Sequence, residues 1–253
     1  MAIMYYQTEG APSYGIYRNL YKCNNLLIAG TIGSGKSVLL NGIITTLITE
    51  ETPLDYRYIL IDPKRVELGT YRDVSDFCLG YCTEASDALA MLKKVEKEVE
   101  NRYKLLAKYH LKKWDTELGS RIIVFIDEFA DLMISDFRKD IMKTVQRIMQ
   151  LGRACGISIF AATQCPNRKI IPAEITLNFD NKIALRCISS IESRQIVQVA
   201  GAEKITGYGK AIMLSPKGLA EIPVPYVDEE FTEARCDYWR RNPGKVVRTH
   251  CAS

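Results

Sequence analysis

Histidine is nearly missing from this 253-residue chain: His110 and His250 are the only two, and neither has a partner at ligand-like spacing. The eight cysteines (Cys23, Cys78, Cys82, Cys155, Cys165, Cys187, Cys236 and Cys251) form no C-x-x-C pair. Together these absences argue against a zinc site. Several of the cysteines lie inside apolar runs and read as small buried hydrophobes of a reduced, cytoplasmic protein. No apolar run is long enough to span a bilayer and no signal peptide opens the chain. Strong charge of one sign is lacking too. A net charge of +4 permits a nucleic-acid partner without arguing for one. There is no internal repeat, low-complexity tract or linker. The hydrophobic fraction of 47% is ample for one large α/β domain with short extensions.

What is present is concentrated in a few stretches. Gly30-Thr31-Ile32-Gly33-Ser34-Gly35-Lys36-Ser37 fits G-x-x-x-x-G-K-[ST], a loop that cradles phosphate. The short apolar run Leu26-Leu27-Ile28-Ala29 before it predicts a buried parallel strand, and Val38 to Ile48 after it predicts a helix. The glycines let the backbone wrap closely around an anion, and the helix adds the positive end of its dipole. In this frame Lys36 reaches the β- and γ-phosphates of a nucleotide and the Ser37 hydroxyl binds Mg²⁺.

The second strong stretch is Arg121-Ile122-Ile123-Val124-Phe125-Ile126-Asp127-Glu128. A strand buried on both faces reads continuously apolar, and this one delivers two carboxylates at its end. Asp127 suits the Mg²⁺ shell, and Glu128 suits activation of a water, a poor nucleophile unaided. A plain strand followed by an acidic helix start would look similar, but coupling to the phosphate loop favours the pair as a site.

The remaining elements follow from periodicity. Strands are predicted at Tyr56–Ile61, around Phe77–Leu79, at Ile157–Ala162, Asn181–Arg186 and Lys210–Leu214. Helices are predicted from Glu84 to about Lys113, Asp136 to Leu151 with Gly152 as its cap, Ser190 to Ala200, and Glu229 to Arg241. Residues 1–23, rich in Tyr and turn formers, predict a short β-containing lead-in. Asp62-Pro63-Lys64-Arg65-Val66-Glu67-Leu68 packs charge at a strand's C-terminal end, where open α/β sheets bind ligands. A solvated charged loop is the equal alternative. The basic end of the 84–113 helix (Arg102, Lys104, Lys108, Lys112, Lys113) reads better as cations at a helix C-terminus than as a nucleic-acid patch, because Glu96, Glu98 and Glu100 share the helix. Gln164, at the end of the 157–162 strand, is either a γ-phosphate sensor or an ordinary strand terminator.

Four stretches line up with one family. LLIAGTIGSGKSVLLNGII, ILIDPKRVEL, IVFIDEFADLM and QLGRACGISIFAATQ resemble the motor domain of the FtsK/SpoIIIE DNA translocases, and the likeness continues more weakly to about residue 214. The resemblance implies a RecA-like P-loop NTPase: an α/β fold with a mostly parallel central sheet and helices on both faces. It divides the chain into a lead-in (1–23), the motor domain (24–215) and a C-terminal extension (216–253). It implies Mg²⁺-ATP hydrolysis between subunits of a homo-hexameric ring around double-stranded DNA. Arg153 matches the family position similar to an arginine finger, acting on the neighbouring subunit's nucleotide, with Arg186 as runner-up. Contacts to the DNA phosphates are implied at Arg194 and in the loop after Gln164. The family usually carries arginine where this chain has Cys165, so Arg168 and Lys169 are the candidate replacements. The membrane-spanning, linker and winged-helix segments of the full translocases are not seen in the sequence. It reads as a bare motor, similar to compact forms of phages, plasmids and integrative elements, with a recruiting partner to supply direction or a membrane pore. A protein-export ATPase of the same family is the alternative, but it would bring tandem ATPase domains and membrane anchors. A regulatory ATPase that barely hydrolyses is disfavoured by the intact Asp127-Glu128 pair.

Overall fold

The computed structural model describes residues 13–164 and 166–244. Eight strands form one sheet: β1 (Leu26–Ala29), β2 (Tyr56–Ile61), β3 (Cys78–Cys82), β4 (Arg121–Ile126), β5 (Ile157–Thr163), β6 (Asn181–Ala184), β7 (Lys210–Ser215) and β8 (Gly218–Pro223). Their spatial order is β3-β2-β4-β5-β1-β6-β7-β8. The first six in that order run parallel; β7 and β8 close one side antiparallel. A mostly parallel sheet with helices on both faces is therefore what the chain builds.

Alternation along the strands divides the core in two. Leu26, Ile28, Tyr58, Leu60, Ile123, Phe125 and Phe160 face one layer. That layer holds α1 (Ser13–Tyr21), α2 (Lys36–Glu50) and α8 (Glu229–Arg241), which contribute Tyr17, Leu39, Ile43, Leu47, Cys236 and Trp239. Leu27, Ile59, Ile61, Ile122, Val124, Ile126, Ile157 and Ile159 face the other. There α3 (Ala85–Lys108), α4 (Phe129–Ile134) and α5 (Arg138–Cys155) cover the sheet with Leu92, Val99, Leu132, Val145 and Ile148. Because both faces are covered, the central strands carry no polar alternation, which is why they read as continuous apolar runs. A short helix α6 (Ala173–Thr176) leads into β6, and α7 (Ser190–Val197) follows it.

Several local expectations are corrected. Residues 13–21 are helical rather than β: Tyr17, Leu20 and Tyr21 bury one face of α1 against α2, and that packing overrides the turn-forming composition. The rest of the predicted lead-in, residues 1–12, lies outside the described residues, as does Cys165. Helix α5 does not end at Gly152. It continues to Cys155 and is capped by Gly156 in the left-handed conformation at φ 68°. Gly152 serves close packing instead, since a Cβ there would stand 2.4 Å from the Ile157 carbonyl oxygen. Arg102 is not an exposed basic residue. It is buried against the Trp114 ring at 4.2 Å and donates hydrogen bonds to the carbonyls of Cys155 and Ser120, both at 2.9 Å.

Both flanking segments join the same core. β8 extends the sheet beyond β7. On α8, the Trp239 indole donates to the Ile48 carbonyl at 2.7 Å, and Thr232 bonds Thr45 of α2 at 3.0 Å. The six described cysteines are all free, and burial pushes the thiol of Cys236 up to about 12.

Candidate nucleotide site

The site forms at the C-terminal edge of the parallel strands. β1 lies between β5 and β6, so the loop leaving it is anchored on both sides. The Gly30 N–H donates to the Thr163 carbonyl at 3.3 Å, and the Thr31 N–H to the Arg186 carbonyl at 3.0 Å. From there the loop turns through Gly33 (φ 70°) and Gly35 (φ 97°) into α2, whose first turn carries Lys36 and Ser37. A side chain at Gly30 would strike Ser34 Oγ at 2.6 Å and Leu185 Cβ at 2.8 Å. The loop thus needs glycine for its closeness to the sheet as well as for its backbone angles.

Next to this loop, the ends of β2, β4 and β5 bring the acidic groups together. Glu128 is 3% exposed. Its Oε1 accepts from the Thr163 hydroxyl at 2.8 Å, its Oε2 from Lys64 Nζ at 3.3 Å, and both oxygens accept from the Gln164 N–H at 3.1 Å. Asp127 is also buried but has no side-chain hydrogen bond or ion pair among the described residues. Burial, then the nearby charges of Glu67, Asp62 and Glu128, push its carboxyl up to about 7, while Lys64 acts in the opposite sense. Lys36 is buried in the same space. Burial lowers its pKa, and the carboxylates of Glu128 and Asp127 partly restore it. Asp62, wholly buried, accepts from the Leu68 N–H at 3.1 Å and the Tyr81 hydroxyl at 3.4 Å, which folds the 62–68 loop back over the strand end.

The donor set fits a nucleotide with Mg²⁺. The buried Ser34 Oγ has no hydrogen-bond partner, and it sits in a loop whose Gly33 and Gly35 leave open space. Asp127 is a buried carboxylate beside three others, an arrangement that a cation relieves. No group of three or more His, Cys, Asp or Glu able to hold a metal occurs among the described residues. A cation here would therefore depend on one carboxylate, a hydroxyl and the nucleotide's own phosphates, which is how Mg²⁺ is usually bound. Beside the loop, Thr31, Ile32, Gln164, Arg186, Cys187 and Ile188 line an open cleft of about 560 Å³.

Of the residues predicted from sequence, the loop 30–37, Asp127, Glu128 and Gln164 are brought together. Arg153 is not among them. It is exposed in the last turn of α5, just before β5 begins, and so lies at the opposite edge of the sheet. Arg168 and Lys169 are exposed on the loop after β5, and Arg194 is exposed on α7, where it bonds Ser190 at 3.2 Å. None of these three contacts the loop or the carboxylates among the described residues. Two participants were not singled out from sequence: Lys64, within a loop noted only for its charge, and Thr163, between the predicted 157–162 strand and Gln164.

Known proteins resemble the chain in sequence and in fold. The sequence model of the FtsK/SpoIIIE family matches residues 3–120. The chain is 35% identical over 246 residues to the DNA translocase FtsK of Chlorobaculum tepidum, covering 90% of this chain but only 30% of that relative's length. Among solved structures, the pCW3 conjugation coupling protein TcpA, determined with ATPγS, superposes with a TM-score of 0.75 at 26% identity. That match covers 87% of this chain and 66% of TcpA. The type VII secretion ATPase EccC of Thermomonospora curvata superposes with a TM-score of 0.69 over 85% of this chain and 28% of its own. At 19% identity the EccC match shows a shared fold alone.

Proposed function

This chain belongs to the FtsK/SpoIIIE family, and from that membership we propose that it is an ATP-hydrolysing motor acting on double-stranded DNA. The observation that carries the reading is the meeting of Lys36, Asp127 and a fully engaged Glu128 at one strand edge. Lys36 and the loop amides hold the phosphates. Ser37 and Asp127 hold Mg²⁺, which when bound neutralises phosphate charge. Glu128, oriented by Thr163 and the Gln164 amide, positions and activates the attacking water. The Gln164 side chain, lining the cleft beside the loop, reports whether the γ-phosphate is there.

Arg153 stands across the sheet from its own site, so it can act only on a neighbour's nucleotide. That suits a ring, proposed to be a hexamer, in which each subunit completes the next. The exposed Arg168, Lys169 and Arg194 are the proposed contacts to DNA phosphates, bringing affinity without sequence reading. No helix among the described residues is long and apolar enough to cross a membrane. A cytoplasmic motor recruited by a membrane-associated or DNA-binding partner is the corresponding proposal, with transfer of a mobile element's DNA as its setting.

The test is ATPase rate with and without linear double-stranded DNA at two salt concentrations. Strong stimulation that fades with salt is expected. Normal basal hydrolysis without stimulation would move the cargo from DNA to polypeptide. Glu128→Gln is expected to bind ATP and lose turnover, and normal hydrolysis by that variant would remove Glu128 from the mechanism.

A further inference from the structure

A carboxylate offers about four acceptor positions, and three donors already crowd the two oxygens of Glu128. Thr163 and Gln164 reach Oε1; Gln164 and Lys64 reach Oε2. A water is held most firmly on an oxygen that one of these donors has released. The Thr163 hydroxyl is wholly buried, and the Gln164 donor is main chain directly beyond β5. Neither is free to leave. Lys64 differs on every count. It is 36% exposed, it sits on a loop at the end of a flexible stem, and at 3.3 Å its contact is long for an ammonium–carboxylate pair.

The backbone under Lys64 is nonetheless fixed. Asp62 holds the Leu68 N–H, the Arg65 N–H donates to the Asp62 carbonyl, and the Arg65 side chain pairs with Glu84. The ammonium can therefore swing while its loop stays in place. Lys64 and Lys36 also feel each other's charge, and each ammonium lies in the field of Glu128 and Asp127. Two cations near one site repel, and a further anion there relieves them. The terminal phosphate of a nucleoside triphosphate is such an anion, and it carries more charge than the Glu128 carboxylate.

We infer that Lys64 is a positioning residue for which Glu128 and the γ-phosphate compete: the carboxylate holds it in the nucleotide-free chain, and an arriving triphosphate takes it over. The exchange frees a lone pair on Glu128 for water only when a γ-phosphate is in place. A diphosphate, ending one phosphate short, leaves Lys64 on Glu128. This inference rests on the nucleotide-binding reading above.

The test reads binding rather than turnover. Dissociation constants for ATPγS and ADP are measured on the full chain at fixed Mg²⁺, for the parent, Lys64→Met, Glu128→Gln and the double variant. Lys64→Met is expected to weaken ATPγS by about tenfold and to leave ADP within about twofold. Glu128→Gln, by releasing Lys64, is expected to tighten ATPγS several-fold when Lys64 is present and to do nothing beside Lys64→Met. Lys64→Arg, which keeps the charge, should retain most of the preference for ATPγS over ADP. Equal losses for both nucleotides, or an effect of Glu128→Gln that is the same in both backgrounds, would overturn the inference. Lys36→Ala separates the two levels. If the parent binds no better than Lys36→Ala, the nucleotide reading itself fails. If it binds and the cycle is additive, only the role of Lys64 falls.

Discussion

The ring of Tyr17 occupies the space that a side chain at Gly42 would need: a Cβ there would stand 2.4 Å from the ring. Tyr17 is buried, and its hydroxyl bonds the Pro225 carbonyl, so the ring has little room to retreat. Gly42→Ala is therefore a contest between two effects. Helix propensity gains about 1 kcal/mol, while overpacking costs roughly 1–3 kcal/mol or more. At 2.4 Å the overpacking wins. The variant should melt several degrees below the parent in thermal unfolding, and an unchanged or raised Tm would show that Tyr17 yields easily.

Asp127 gives a pH dependence with a defined sign. Its carboxyl is pushed up from 3.8 to about 7 in the fold, by burial first and then by Glu67, Asp62 and Glu128. Between those values the folded chain keeps a proton that the unfolded chain gives up. Stability from this group therefore falls as pH rises through the window, and the cost is complete above about 7. Asp127→Asn removes the cost. Without nucleotide or Mg²⁺, the variant's stability advantage should grow between pH 5 and pH 8, by up to roughly 3 kcal/mol. Urea unfolding at the two pH values measures it, and an advantage that shrinks with pH contradicts the assignment.

Thr163 tests how far orientation of Glu128 matters. Thr163→Val keeps the shape and removes the 2.8 Å hydrogen bond to Oε1. A loss of about 1–1.5 kcal/mol in the transition state is expected, seen as roughly a tenfold lower kcat with KM little changed. Steady-state ATPase kinetics decides it, since a rise in KM alone would place Thr163 in substrate binding instead.

Arg102 ties the end of α5 to the start of β4 through the Cys155 and Ser120 carbonyls and stacks on Trp114, while pairing with Glu98 at 2.8 Å. Lysine cannot reproduce the planar fork or the stacking. Arg102→Lys should cost about 2–4 kcal/mol, measured by denaturant unfolding, although the charge is conserved.

Legibility in the sequence followed burial. β1 and β2 were readable to the residue because each is a short, largely apolar run hidden on both sides, broken in β2 only by the half-buried Arg57. The same held for the run from Arg121 to Ile126 that became β4. β8 escaped because it is an edge strand, largely exposed, with Glu221 in its middle and Pro223 at its end. α1 escaped because Gly15 and the tyrosines suggest turns, and only α2 beneath it makes Tyr17 and Tyr21 a buried face. Within the site, the phosphate loop and the Asp127-Glu128 pair could be read locally. The contacts of Lys64 and Thr163 with Glu128 could not. They depend on β2, β4 and β5 being neighbours, and that order is a property of the whole sheet.

The clasp on α2 has a consequence for how the molecule is made. Helix α2 and its phosphate loop leave the ribosome before most of the elements that cover them. The Ile48 carbonyl, however, waits 191 residues for the Trp239 indole, and β1 waits for β5 and β6 on either side of it. Vectorial synthesis thus leaves one side of the loop's helix, and both edges of its strand, without their partners until β5, β6 and α8 have emerged. Contacts of such sequence separation form slowly, and a nascent chain stalled before α8 would present the apolar side of α2 to chaperones.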